Sequence, residues 1–289
     1  MMGFRGLCIA GVLAGSVLLS GQTLPEPRKQ FGASLTGAFE GWYENADGTR
    51  GFLVGYYNRN TQEELDIPIG PNNRIEPGGP DMGQPTHFLP SRQFGMFAFP
   101  VPKGFKPEDQ LTWTIFANGK YNSIPLRLHP DYVISPFSEI AVGNTPPVIK
   151  FAENGTALQG PVATLTNATV RTVSLSEPLA LTIWVTDDMK YTSGTNAPLT
   201  TARPPVTLVW TKYRGPGSVT FDKARPAVEK LMATGNANAA FSGKATTNVK
   251  FSEAGEYVLH VTANDYSGDG GGGFQCCWTT GLVKVSVKP

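Results

Sequence analysis

Cysteine and histidine are scarce in this chain, net charge is nearly absent, and no long stretch repeats its apolar residues at the helical period. Each shortage excludes something. There are three cysteines and three histidines in 289 residues. The histidines, His87, His129 and His260, are scattered, and no G-x-S-x-G occurs, so nothing marks a nucleophile with its base. No C-x-x-C pair and no D-x-D-x-D-G loop is present, which removes the commonest zinc and calcium signatures. The formal net charge is +1 and the bases are dispersed, so there is no footprint for nucleic acid. Only one apolar run is long, and it stands at the start.

That run spans residues 7–19, behind Arg5, and is too short to cross a bilayer comfortably. It reads as the apolar part of a signal peptide covering residues 1–21, with small residues Ser20 and Gly21 at its end. Cys8 lies early in the run, so it does not read as a lipidated cysteine. An uncleaved anchor is the alternative. Without the segment Arg5 goes and no acid does, leaving 23 bases against 23 acids. Export is therefore expected, to a periplasm, a cell surface or the medium. No other stretch of the mature chain could span a membrane. Of the cysteines only Cys276 and Cys277 then remain, and neighbours in sequence cannot staple distant strands. They could bond to each other, pair with another chain or stay as thiols.

What is present is alternation. Residues 251–287 hold two runs of period two, around Tyr257, Leu259 and Val261 and around Leu282, Val283, Val285 and Val287. Such runs mark half-buried strands, rich in β-branched and aromatic residues. Between them lies an unusual connection with four consecutive glycines and the cysteine pair. Glycine and proline make up about a fifth of the chain, and short alternating runs separated by them read as all-β.

In order, residues 22–34 read as a polar linker. Residues 35–140 read as a first β-sandwich, with hairpins at Asp47-Gly48 and Asn118-Gly119. A proline- and glycine-rich stretch at 70–90 reads as a long irregular loop. Proline-stiffened residues 141–150 divide it from a second sandwich at 146–289. There strands are expected at 148–151, 168–175, 179–186, 206–213, 218–221, 247–251, 257–264 and 281–287, and a helical turn at 225–234.

The second half resembles a PKD-type immunoglobulin-like domain. The resemblance is carried by Trp210, by the turn Gly215-Pro216-Gly217, and by Gly255, Tyr257, Leu259, Ala263 and Asp265. It covers about half the chain. The long loop at 270–278 and the insertion at 188–204 depart from the pattern. The resemblance implies an extracellular role in binding or spacing, and residues 35–140 resemble no family. The expected fold is all-β, two immunoglobulin-like sandwiches in tandem behind the signal peptide. Fold likeness does not fix a function.

Four constellations could carry chemistry. Asp187 and Asp188 end one strand, and Asp265 and Asp269 follow another; in an immunoglobulin-like sandwich both sets can fall at the same end. Carboxylates there suit Ca2+, although aspartate also ends strands through its own turns. Cys276 and Cys277 could form a vicinal disulfide, and with the 270–278 loop they offer a metal- or redox-linked role. Glu40 and Glu44 imitate a glycosidase pair, but on one strand they stand about 13 Å apart, too far to act together. Finally Trp42, Tyr43, His87, Phe88 and Trp278 could stack on a sugar or anchor a protein, whereas Trp113 and Trp210 belong to cores. The expectation is a non-catalytic binding or structural module, with an envelope or extracellular protein as first partner and a glycan as second. The alternatives are a metal- or redox-linked accessory protein using the 270–278 loop, or an enzyme with an unrecognised site in the first domain.

Overall fold

The computed structural model describes residues 26–139, 143–190, 204–231, 240–265 and 276–289. The expected signal peptide, Asp269 and most of the 270–278 loop lie outside them. The described residues are almost all strand and turn, with one short 3-10 helix at Pro130–Tyr132. None of their helices is long and apolar enough to cross a membrane.

The first half holds β1 (Leu35–Glu44), β2 (Arg50–Asn58), β3 (Leu65–Asp66), β4 (Asn73–Glu76), β5 (His87–Phe88), β6 (Ser91–Pro100), β7 (Leu111–Ala117) and β8 (Lys120–Leu126). They form antiparallel sheets in the orders β1-β2-β6 and β4-β7-β8, with β3 pairing β5. Both hairpin turns are where the sequence puts them. Asn118 and Gly119 both take positive φ, 48° and 76°, as a tight two-residue turn demands. Trp113 is fully buried and its Nε1 donates to Asn73 Oδ1 at 3.0 Å.

The second half holds β9 (Val148–Lys150), β10 (Leu158–Gln159), β11 (Thr169–Ser174), β12 (Leu179–Asp187), β13 (Val206–Arg214), β14 (Val219–Phe221), β15 (Glu229–Lys230), β16 (Phe241–Phe251), β17 (Gly255–Asp265) and β18 (Trp278–Lys288). One sheet runs β10-β9-β12-β16-β14, with β15 also on β16, and the other β11-β18-β17-β13. β11 is parallel to β18, and the remaining pairs are antiparallel. Ile183, Val185, Leu208, Trp210, Leu259, Val261 and Val285 fill the space between the sheets. No helical turn forms over 225–231: Glu229 and Lys230 pair with Lys244 and Gly243 instead. The free backbone edge of β16 offers them ladder bonds that an isolated turn would lack.

Three of the residues behind the family resemblance, Gly215, Gly217 and Tyr257, meet at one turn. The Tyr257 hydroxyl accepts from Gly217 N at 3.1 Å and donates to Glu253 O at 2.9 Å. A Cβ on Gly215 would stand 2.2 Å from the Tyr257 ring. The glycines are therefore a seat for the tyrosine.

The halves are not beads on a string. Tyr213, Val258, Leu282 and Ala163 of the second half share one core cluster with Tyr56, Phe88, Met96 and Phe97 of the first. β17 is consequently covered on both faces, which corrects the half-buried reading of its alternation: Tyr257, Leu259 and Val261 face the sandwich, Val258 and His260 the seam. A β-bulge between Lys212 and Arg214 turns Arg214 to the side of Val258. Its guanidinium grips Asp81 through two bonds of 2.9 and 2.8 Å and also reaches Gln84 O. Tyr213 donates its hydroxyl to Gly83 O, and Thr86 N donates to Tyr213 O at 3.2 Å. Residues 70–90 are thus a clasp that contains β4 and β5, rather than an irregular loop. The polar linker reading of 22–34 needs the same adjustment. Ala33 and Ser34 are buried, and Asn60 holds Ala33 from both sides of its peptide.

Candidate functional site

Three places gather polar or aromatic groups that the expected chemistry would use. The first is a corner where the expected aspartates and cysteines meet. β12 ends on Asp187, β17 on Asp265, and β18 begins just after Cys277. The connector between the halves closes it. Asn144 Nδ2 donates to Asp265 Oδ2 at 2.7 Å, and Thr145 donates its N and Oγ1 to Asp188 Oδ2 at 3.2 and 2.9 Å. Asp187 Oδ1 accepts from Met189 N at 2.8 Å, while its buried Oδ2 has no hydrogen-bond partner. Cys276 and Cys277 are bonded to each other, and Cys277 Sγ lies 3.5 Å from Asn144 O. Both cysteines are buried, so neither sulfur is offered to a partner.

Burial pushes the Asp187 carboxyl up to about 7, and the neighbouring Asp265 and Asp188 charges push the same way. The corner therefore brings together Asp187, Asp188 and Asp265 of the expected calcium set. Among the described residues no three His, Cys, Asp or Glu side chains form a ready metal cage. Asn144 and Thr145 are the additions that sequence reading missed, although N-T-P-P at a domain border was legible as a rigid strut.

The aromatic anchors expected at Trp42, Tyr43, His87, Phe88 and Trp278 are not free. Tyr43 and Trp278 pack with Leu53, Ala98 and Ile134 in a small core, and Phe88 is fully buried. Trp42 is half-buried and donates its Nε1 to His129 O at 2.8 Å. The seam accounts for Trp278 and Phe88: covering one half of the chain with the other inverts the exposure that a lone sandwich would give. Glu40 and Glu44 go to separate partners, Arg92 and Arg50.

The second place is a cleft of about 350 Å3 at the seam, lined by Glu64, Asp66, His87, Trp210 and Lys212 among others. His87 Nδ1 is 3.0 Å from Asp66, its Nε2 3.3 Å from Glu64, and Lys212 Nζ is 3.1 Å from Asp66. Both imidazole nitrogens are engaged, so neither is left to activate a nucleophile or hold a metal.

The third place is a groove of about 460 Å3 on the outer face of the larger sheet, with Trp184 on its floor and Lys150, Glu153, Asn154, Leu231 and Ser242 around it. Lys244 Nζ stands 5.1 Å from the Trp184 ring centre. The signal was in the sequence: Leu181, Ile183 and Val185 face the core, so Trp184 between them must face out.

Fold and sites together describe an all-β protein whose two sheet systems share a core and whose outer surfaces carry a groove and a polar corner. No family model matches the chain, and no curated protein matches it. Among solved structures, a point mutant of CfaE, the CFA/I adhesin of enterotoxigenic E. coli, aligns with a TM-score of 0.23 at 9% identity, over 92% of this chain and 82% of that one. Likeness this slight says nothing about partner or function.

Proposed function

We propose that the chain is an exported, non-catalytic binding module with a PKD-type second domain, and that it takes a protein partner on the outer face around Trp184. The observation that supports this is a tryptophan placed on the solvent side of a sheet, where the core gains nothing from it. Tryptophan dominates protein-binding hot spots when a partner encloses it. Lys244 already covers the ring, which favours enclosure by partner side chains over stacking of a sugar. A glycan is the second reading, held by the same groove.

Trp184→Ala tests it. Pull-down from the native envelope with wild-type protein should retain a partner, and the variant should lose it by about thirtyfold, as for a hot spot of roughly 2 kcal/mol. The unfolding midpoint should hardly move, because the ring is outside the core. Equal retention by both proteins would end this reading, and binding on a glycan array would transfer it to sugars.

We also propose Ca2+ as the ion that completes the acidic corner. The support is the buried Asp187 Oδ2 without a partner, beside Asp265 and Asp188. Amide, hydroxyl and water oxygens would have to fill the rest of the shell. At pH 8, added Ca2+ should raise the thermal midpoint of the wild type, since it binds only the folded corner, and leave Asp187→Asn unchanged. An equal response in both proteins would refute the assignment.

A further inference from the structure

A second cavity lies at the seam, separate from the groove and from the corner, and its lining is unusual. It measures about 220 Å3 and is lined by Arg92, Gln93, Phe94 and Met96 of β6 and by Val209, Thr211, Arg225, His260, Thr262 and Asn264 of the second half. Thr211 Oγ1, His260 Nε2 and Asn264 Oδ1 are all buried there without a hydrogen-bond partner. His260 is 1% exposed and Asn264 7%. Buried polar atoms left unpaired are costly, and three facing one cavity call for an occupant that bonds to them.

The lining also specifies the charge of that occupant. It contains two guanidinium groups and no carboxylate. Arg92 is already paired with Glu40 at 2.7 Å and stacked 4.2 Å from the Phe94 ring centre. Arg225 is exposed at the rim and has no ion pair among the described residues. A cationic or zwitterionic ligand would find no acid in the lining. A plain inorganic anion would pair with Arg225 but leave Asn264 Oδ1, an acceptor, without a donor. The space equals roughly seven waters of liquid volume, enough for one ring and too little for a chain of them.

We propose that this seam cavity binds a small hydroxylated carboxylate of the sugar-acid class, its carboxylate on Arg225 and its hydroxyls on Thr211, His260 and Asn264. His260 is stacked on Tyr213, 5.8 Å between ring centres and 17° between planes, so its Nε2 is held in place. Both halves of the molecule line the cavity, so a bound ligand adds to the contacts across the seam. This assignment does not depend on the partner proposed at Trp184, which lies in a different cavity.

D-glucuronate is the probe, with D-glucose and inorganic sulfate as controls, added to the full chain. Calorimetric titration should show glucuronate binding at least tenfold more tightly than either control, and the thermal midpoint should rise with glucuronate alone. Arg225→Gln, at an exposed position, should keep the unliganded midpoint and lose glucuronate at least tenfold. Asn264→Leu removes the unpaired oxygen and should abolish the preference over sulfate. Absence of glucuronate binding would mean that ordered water alone fills the cavity and would overturn the proposal. So would binding that Arg225→Gln leaves intact, or equal affinity for sulfate and glucuronate.

Discussion

Trp278→Ala is expected to lower the free energy of unfolding by about 3–5 kcal/mol, the cost of deleting a large buried aromatic. Trp278 begins β18, in the second half of the chain. Its ring nevertheless packs against Tyr43, Leu53, Ala98 and Ile134 of the first. Gly95 makes room for it: an ideal Cβ there would stand 2.6 Å from the indole, and φ of +49° suits glycine. Removing the indole therefore leaves a void between the halves rather than at a rim. The Trp278 Nε1 is buried without a partner, so Trp278→Phe, which keeps a ring and removes that unpaired donor, should recover most of the loss. Chemical denaturation of the three proteins measures this. A loss below about 1 kcal/mol for the alanine variant would mean that the halves do not lean on each other at this residue.

The pH dependence of stability should be a near balance of two opposed groups. Burial holds the Asp187 carboxyl up at about 7, against 3.8 for an ordinary aspartate. Burial holds His260 down at about 4, against 6.5. Between about pH 4 and 7 the folded protein keeps a proton on Asp187 that the unfolded chain has released. Stability from this group is therefore present at low pH and lost as pH rises through that window. His260 behaves in the opposite sense. Below pH 6.5 the unfolded chain takes up a proton that the buried imidazole refuses, so its contribution falls as pH drops from 6.5 towards 4. Each group slopes by at most roughly 1.4 kcal/mol per pH unit, and over their common window the slopes oppose.

Asp187→Asn should leave the histidine alone, and stability should then rise from pH 4 to 6.5. His260→Phe should leave the aspartate alone, and stability should fall from pH 4 to 7. Denaturation midpoints across that range decide the matter. If both variants keep the wild-type profile, neither group is held as far from its ordinary value as its surroundings require.

Much of this was legible in residues. Asn118-Gly119 announced its hairpin because a two-residue turn needs backbone angles that few residues reach; Asp47-Gly48 announced one as well, where residues 45–49 join the strands and only Gly48 takes positive φ. Trp113 and Trp210 sat at core parity on alternating strands and are buried. Trp184 had the opposite parity, and its outward placement could have been read from Ile183 and Val185 beside it. Strand-end aspartates can share one end of a sandwich, and Asp187, Asp188 and Asp265 meet because β12 and β17 finish at the same side.

Period-two alternation in one chain determined that this protein is built of sheets, where the strands lie, and which face of each strand avoids water. Tertiary structure alone decided what the second face meets. Tyr213, Val258, His260 and Leu282 stand on a face that would be wet in a lone sandwich and is dry here because the first half of the chain covers it. Alternation reports local geometry only. The contact that buries the outer face joins residues more than a hundred positions apart, such as Arg214 with Asp81, and no local pattern encodes a pairing between distant segments.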